Sequence, residues 1–447
     1  MGPDPNNADD EYDHYIAAEQ YSKNHKGDYL LVMKDGGLVF KGVPGNTDPD
    51  SKEYPSENFV HTLNSGTKSF SCALQAFAVN DQGHSFDMDL NRKVANKVTD
   101  WTSNTDNDAN VTLRDLLMLQ SGLAGNSSYN PNEVSTADTY NLAVNEISPT
   151  DRSNANFIYD PLSFQNFALY FQIALGSSGA YAGNGKLHIN LQGPNPVEYL
   201  DQKLFSKFGL TLIPDNVIDD PASDHDGNGY PDAYENIPDA YAWGQDGALD
   251  ADSLPSDPNP IANPHDQMAG GAALTASAWI KYGQFLLQQG TWNGERLLPA
   301  SSLNNCVNGA LTPSTSDDTL NPVFGGYGIS FWLNADLVDP VTHISTYQRP
   351  DDYDETGESG DILPPVVAAD LCDDRTQLWP SAPLDAFAAA GGLFQRLYVI
   401  PSKNLVVVRF GAVPKVSSEA PDLPVCPTRT PPSQFDDDEF LQALLGT

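Results

Sequence analysis

The sequence predicts an α+β fold, with an antiparallel sheet flanked by helices and assembled from both ends of the chain around a mainly helical middle. Three observations predict it. Residues 28–43 (DYLLVMKDGGLVFKGV) are two apolar runs around Lys34-Asp35-Gly36-Gly37, a hairpin signal. Residues 394–401 (FQRLYVIP) and 404–411 (NLVVVRFG) form a second hairpin, alternating and then continuously β-branched. Between them the apolar residues recur every three to four positions, the helical period.

The elements follow in order. Residues 10–26 read as a helix leading into the first hairpin. After Ser65 the run SFSCALQAFAVNDQG sets Phe70, Leu74 and Phe77 on one face and ends at Gly83. Further helices are expected at 112–120, 164–175, 196–208 and 276–289. The stretch 214–267, rich in Asp, Pro, Asn and Gly, reads as a long ligand-bearing loop. Strand character returns in GGYGISFWLN (325–334) and in the late hairpin. Residues 335–380 and 413–437 are polar and Pro-rich and read as insertions or tails. The expected division is a discontinuous sheet domain (28–62 and 268–447), a mainly helical domain (63–267), and an N-terminal helix and tail (1–27).

Composition bounds the function. With 447 residues, 40 % of them hydrophobic, the chain can bury a large core. Its 23 basic and 60 acidic residues give a formal charge of −37, which repels phosphate backbones and anionic lipid headgroups, so neither nucleic acid nor a membrane surface is an expected partner. No run of 18 apolar residues occurs, so no membrane span is expected. The opening MGPDPNNADDEYDHY has no basic and apolar leader pattern. It reads as a start from which an export signal has been removed, and the expected location is periplasmic or secreted, with the cytoplasm as the alternative. Of the four cysteines, Cys72 lies in an apolar helical run and reads as a buried thiol, whereas Cys372 and Cys426 lie in Asp/Pro-rich loops where a bridge is plausible.

Chemistry is concentrated at Ser65-Gly66-Thr67-Lys68-Ser69-Phe70, a Ser-x-x-Lys opening a helix. A serine hydroxyl is a weak nucleophile at neutral pH, and one helical turn puts the lysine amine beside it to take its proton. A Ser N-cap followed by a surface Lys produces the same four letters, so the surroundings decide. There SGTKSFSCALQAFAVNDQG, FDMDL, VTLRDLLMLQSGL, AGGAALTASAWIKYGQFLLQQGTWNGERLLP and FAAAGGLFQRLYVIPSKNLVVVRFG follow in order. Over roughly 28–415 this succession resembles the serine β-lactamase-related and penicillin-binding-protein-like hydrolases, and it implies a β-lactamase/transpeptidase-like fold.

That resemblance implies Ser65 as acyl-accepting nucleophile, Lys68 as its activator and Tyr159, in Phe157-Ile158-Tyr159-Asp160-Pro161, as proton-transfer partner. Pro161 stands where the family's Tyr-x-Asn has its Asn. Ala389-Ala390-Gly391 stands where the family has Lys-Thr-Gly, which leaves the Gly392 amide, with that of Ser65, as the implied oxyanion hole. Ala390, Gly391 and Gln395 are the implied substrate contacts on this strand. Trp243, with Asp246 and Gly247, resembles a Trp-x-x-Asp-x-Gly segment and reads as either a wall of the acyl pocket or a packing residue. Without the cationic strand residue, the chain resembles the branch that cleaves esters and amides, including aminohexanoate oligomers. A β-lactamase or peptidase role and a non-catalytic, calcium-stabilised binding protein are the alternatives, and the oligomeric state is open.

A second constellation is independent of the first. Asp224, Asp226, Asn228, the Tyr230 carbonyl, Asp232 and Glu235 occupy positions 1, 3, 5, 7, 9 and 12 of a loop with Gly229 at 6, the oxygen pattern of an EF-hand-type calcium loop. A structural Ca²⁺ is therefore expected there, and no organic cofactor.

Overall fold

The structure, a computed structural model, describes residues 7–45, 57–81, 86–98, 110–121, 159, 161–176, 178–182, 186–190, 194–213, 237–246, 265–308, 326–334, 377–411 and 435–447. The larger of its sheets is antiparallel throughout. Its strands are β1 (Gly27–Lys34) and β2 (Gly37–Lys41) from one end of the chain, and β7 (Trp332–Leu333), β8 (Phe387–Gly391), β9 (Gln395–Ile400) and β10 (Leu405–Gly411) from the other, in the order β7-β8-β9-β10-β1-β2. The two halves of the sequence are sewn together along β1 and β10, where Leu30 pairs with Arg409 and Val32 with Val407. Both expected hairpins form. Asp35 and Gly36 take left-handed backbone (φ 51° and 78°), the turn geometry that an Asp-Gly pair favours between twisted strands.

Both faces of this sheet are covered, so β9 and β10 are buried along their whole length. On one face lies α7 (Ala276–Leu287), where Gly283 has no room for a side chain: a Cβ would sit 2.4 Å from Val406 Cγ1. Trp279 of the same helix stacks on Phe410 at 5.6 Å. On the opposite face lie α1 (Asn7–Asn24) and α9 (Asp437–Leu445), with Phe440 of α9 stacked on Tyr398. The helix α9, which follows the polar 413–437 stretch, was not among the expected helices. It starts because Asp436 caps it and its first turn is acidic, and it stops at Gly446 in left-handed conformation.

The middle of the chain supplies α2 (Phe70–Asn80), α3 (Leu113–Leu117) with a Thr112/Asp115 capping box, and α4 (Leu162–Ala174). A continuous helical run follows, from α5 (Pro196–Leu200) through a π segment (Asp201–Phe205) into α6 (Ser206–Phe208), and α8 (Ala300–Asn308) comes after α7. The middle is not wholly helical. A four-stranded sheet joins β3 (His61–Thr62), β6 (Ala272–Leu274), β5 (Ala240–Trp243) and β4 (Thr211–Leu212), in the order β3-β6-β5-β4. The expected domain boundary at 267/268 thus falls between two adjacent strands of one sheet, and part of the supposed 214–267 loop is a buried strand.

The cysteine reading needs correction. Cys72 on α2 is not a thiol but is bridged to Cys306 on α8, a pairing across 234 residues with Cα atoms 6.0 Å apart. The bridge ties the helix that follows Ser65 to a helix contributed by the late half of the chain. Cys372 and Cys426 lie outside the described residues.

Candidate active site

Ser65 and Lys68 sit in a 3₁₀ turn, Asn64–Ser69, that precedes α2. The distinction matters because three residues per turn bring side chains at i and i+3 into register, whereas an α-helix would offset them. Lys68 Nζ donates to Ser65 Oγ at 2.9 Å and to the Ala269 carbonyl at 2.8 Å. Local sequence holds the turn. Asn64 adopts φ 49°, which Asn tolerates better than most residues. The Thr67 hydroxyl donates to Asn64 O and accepts from Ala272 N, and the Ser69 hydroxyl donates to Gly66 O. Gly66 lies against Trp279, whose ring would meet a Cβ at 3.1 Å. Lys68 is 2 % exposed and Ser65 7 %, so both side chains lie beneath the surface.

Tyr159 joins the pair. Its side chain hydrogen-bonds Ser65, and its ring centroid lies 5.1 Å from Lys68 Nζ. Burial pushes its phenol up to about 12, while the Ser65 hydrogen bond and the Arg396 charge pull the other way, so at neutral pH Tyr159 carries its proton. The hydroxyl form, not the phenolate, is the species beside Ser65. Trp332 on β7 stacks on the phenol ring at 5.7 Å and Tyr327 packs edge-on to Trp332. This aromatic wall had no signature in the sequence.

The β8 strand closes the other side. Gly391 abuts the 3₁₀ turn so closely that a Cβ would lie 1.9 Å from the Leu63 carbonyl oxygen and 2.9 Å from Gly66 N. Asn64 Nδ2 donates to Gly392 O at 3.0 Å, linking the residue before the nucleophile to the expected oxyanion residue. Ala389 and Ala390 are buried in the strand.

Two expected substrate contacts are engaged elsewhere. Gln395 is 1 % exposed, with Nε2 donating to Gly411 O at 3.0 Å and Oε1 accepting from Gly411 N at 3.1 Å. It joins two strands and has no edge toward a ligand. Trp243 is 3 % exposed and packs on Phe70 at 5.6 Å, the place of a core residue. The calcium-loop residues 224–235 lie outside the described residues, and no metal-binding cluster occurs among those described.

Residues 12–168, the segment that carries Ser65, Lys68 and Tyr159, match the Beta-lactamase family model. No curated protein matches the chain. Among solved structures, the chain is similar to the β-lactamase from Sulfitobacter sp. EE-36, at 14 % identity over 98 % of each chain with a TM-score of 0.51. It is also similar to the class C β-lactamase from Rhodobacter sphaeroides, at 14 % identity over 97 % of this chain and 98 % of that one, TM-score 0.50. A Bacillus anthracis protein assigned as a 6-aminohexanoate-dimer hydrolase gives 15 % identity over 88 % and 75 %, TM-score 0.51. The solved structures share the β-lactamase/transpeptidase-like fold along nearly the whole chain, and the Beta-lactamase family match lies on the segment that holds the Ser–Lys–Tyr cluster.

Proposed function

We propose that the chain is a serine hydrolase that cleaves a carboxylic ester or amide through a Ser65 acyl-enzyme. The observation that carries this reading is the 2.9 Å contact between Lys68 Nζ and Ser65 Oγ, with Tyr159 hydrogen-bonded to the same oxygen. In the first step Ser65 attacks the carbonyl carbon while Lys68 takes its proton, and the amides of Ser65 and Gly392 receive the developing oxyanion. The proton then passes, with Tyr159 as relay, to the leaving alkoxide or amine. Water repeats the sequence on the acyl-enzyme and frees Ser65.

Substrate class follows from β8. In relatives with a lysine on this strand, a cation is available to hold a substrate carboxylate. Here Ala389 leaves none, which favours neutral esters and amides over β-lactams and peptide carboxylates. A fluorophosphonate is expected to label Ser65, as located by mass spectrometry, and a fluorescent penicillin is expected not to. Absence of label on Ser65 in the folded protein would end the hydrolase reading.

The sequence of 224–235 further supports a structural Ca²⁺, bound by the oxygens of Asp224, Asp226, Asn228, Tyr230, Asp232 and Glu235 and taking no part in the reaction. Calorimetry with Ca²⁺ checks it. One site is expected, and heat no greater than dilution at millimolar Ca²⁺ removes it. Export to an oxidising compartment is supported by the Cys72–Cys306 bridge. No helix among the described residues is long and apolar enough to cross a membrane.

A further inference from the structure

The turn that carries the expected oxyanion donor is strained. After Gly392, both Leu393 and Phe394 adopt left-handed backbone (φ 57° and 59°), a conformation neither side chain favours. Such geometry persists only where surroundings enforce it, and it gathers at functional sites. Here the enforcement is visible carbonyl by carbonyl. Gly391 O accepts from Arg396 Nη1 at 2.9 Å, Gly392 O from Asn64 Nδ2 at 3.0 Å, and Phe394 O from Arg409 Nη1 at 2.7 Å.

The first of these contacts differs in kind from the others. The carbonyl of Gly391 and the N–H of Gly392 belong to one peptide unit, and in a trans peptide they point in opposite directions; no peptide bond of the described chain is cis. Whatever holds the oxygen therefore aims the N–H. We infer that Arg396 is a positioning residue for the oxyanion peptide: its guanidinium, clamped by Asp437, grips Gly391 O from behind the sheet and so orients and polarises the Gly392 N–H toward the reacting carbonyl. The inference rests on the reading of Ser65 as nucleophile.

Its geometry is specific to arginine. Nε donates to Asp437 Oδ1 at 2.7 Å and Nη2 to Asp437 Oδ2 at 3.1 Å, a bidentate pair that fixes the guanidinium plane, and Nη1 divides between Gly391 O and Gln395 O at 3.0 Å. Tyr398 donates to the same carboxylate, and Phe394 and Phe435 lie over the guanidinium at 5.7 and 6.0 Å. Arg396 is 2 % exposed and does not reach solvent or substrate. A charged donor on the carbonyl end strengthens the hydrogen bond given by the amide end, because linked hydrogen bonds polarise one another in a low dielectric. No lysine can make this fork.

The test uses the full chain with Arg396→Lys and, separately, Asp437→Asn, each checked for fold by circular dichroism. The readouts are kcat and KM for a p-nitrophenyl ester and the affinity for a simple alkyl boronic acid, whose tetrahedral adduct with Ser65 places an oxygen where the oxyanion forms. Weakening one oxyanion donor without removing it is expected to lower kcat and boronate affinity about tenfold each, with KM within twofold. A purely structural role would instead shift KM with kcat or leave boronate binding unchanged, and either result overturns the inference. If Arg396→Lys does not fold, Asp437→Asn decides alone, since it keeps the shape of the clamp and loses its charge. Wild-type protein whose Ser65 takes no fluorophosphonate refutes the hydrolase reading and this inference together. Labelled Ser65 with unaffected variants refutes the inference only.

Discussion

Replacing Lys68 by Met is expected to lower ester kcat/KM by about 10³-fold, within reach of the loss from Ser65→Ala, because proton transfer by a positioned base contributes on that scale. The side-chain length is conserved and the chemistry is not. Lys68 Nζ is held at two points, Ser65 Oγ and the Ala269 carbonyl, so the amine is fixed where the serine proton leaves. Burial pushes the Tyr159 phenol up to about 12, so at neutral pH it holds its proton and cannot act as the resting base. The Met thioether is left among the Tyr159 and Phe164 rings that already face Lys68, a contact sulfur makes favourably, so the variant should fold. Steady-state hydrolysis of a p-nitrophenyl ester checks it, and activity within tenfold of wild type would show that the proton leaves Ser65 by another route.

Gly391→Val is the second large effect expected. The backbone at Gly391 is ordinary extended strand (φ −134°, ψ 166°), so the penalty is steric alone. The Leu63 oxygen and the Gly66 nitrogen that a Cβ would strike are main-chain atoms of the turn bearing Ser65, and they cannot rotate aside. To admit the side chain, β8 must back away from the nucleophile by something on the order of 1 Å, a displacement that costs about 10²-fold in rate. Loss of kcat/KM of at least that size, together with a lower melting temperature, is expected. Gly37→Ala is the matched control: its Cβ would come no closer than 3.7 Å to another atom, and both quantities should stay near wild type.

Much of the frame was legible because it is written in local patterns. Two apolar runs around Lys34-Asp35-Gly36-Gly37 predicted β1, β2 and their turn, and the alternating, then β-branched run at 394–411 predicted β9 and β10. Ser65 and Lys68 were legible as a motif, and the ordered resemblance led to Tyr159. What escaped is of two kinds. Strands of two to four residues, such as β4 and β5, are too short to show a period, so the sequence left Trp243 between pocket wall and packing residue, and the strand that buries it was not foreseen. Pairings across long separations leave no local trace at all. Cys72 and Cys306 are 234 residues apart, and Arg396 and Asp437 are 41 apart. For α9 the signals were present, an Asp cap, an acidic first turn, buried Phe440, Leu441 and Leu444, and a closing Gly446, but they follow a Pro-rich stretch whose composition masks them.

The 41-residue gap between Arg396 and Asp437 also constrains how a ribosome can deliver this protein. A nascent chain that has emerged through β9 and β10 carries two arginines meant for the interior, and the carboxylate that neutralises one of them has not yet been synthesised. Sealing an unpaired guanidinium away from water costs several kcal/mol, so the half-made sheet keeps that face open until α9 arrives and docks. Premature closure of the sheet is thereby discouraged until that carboxylate is in place.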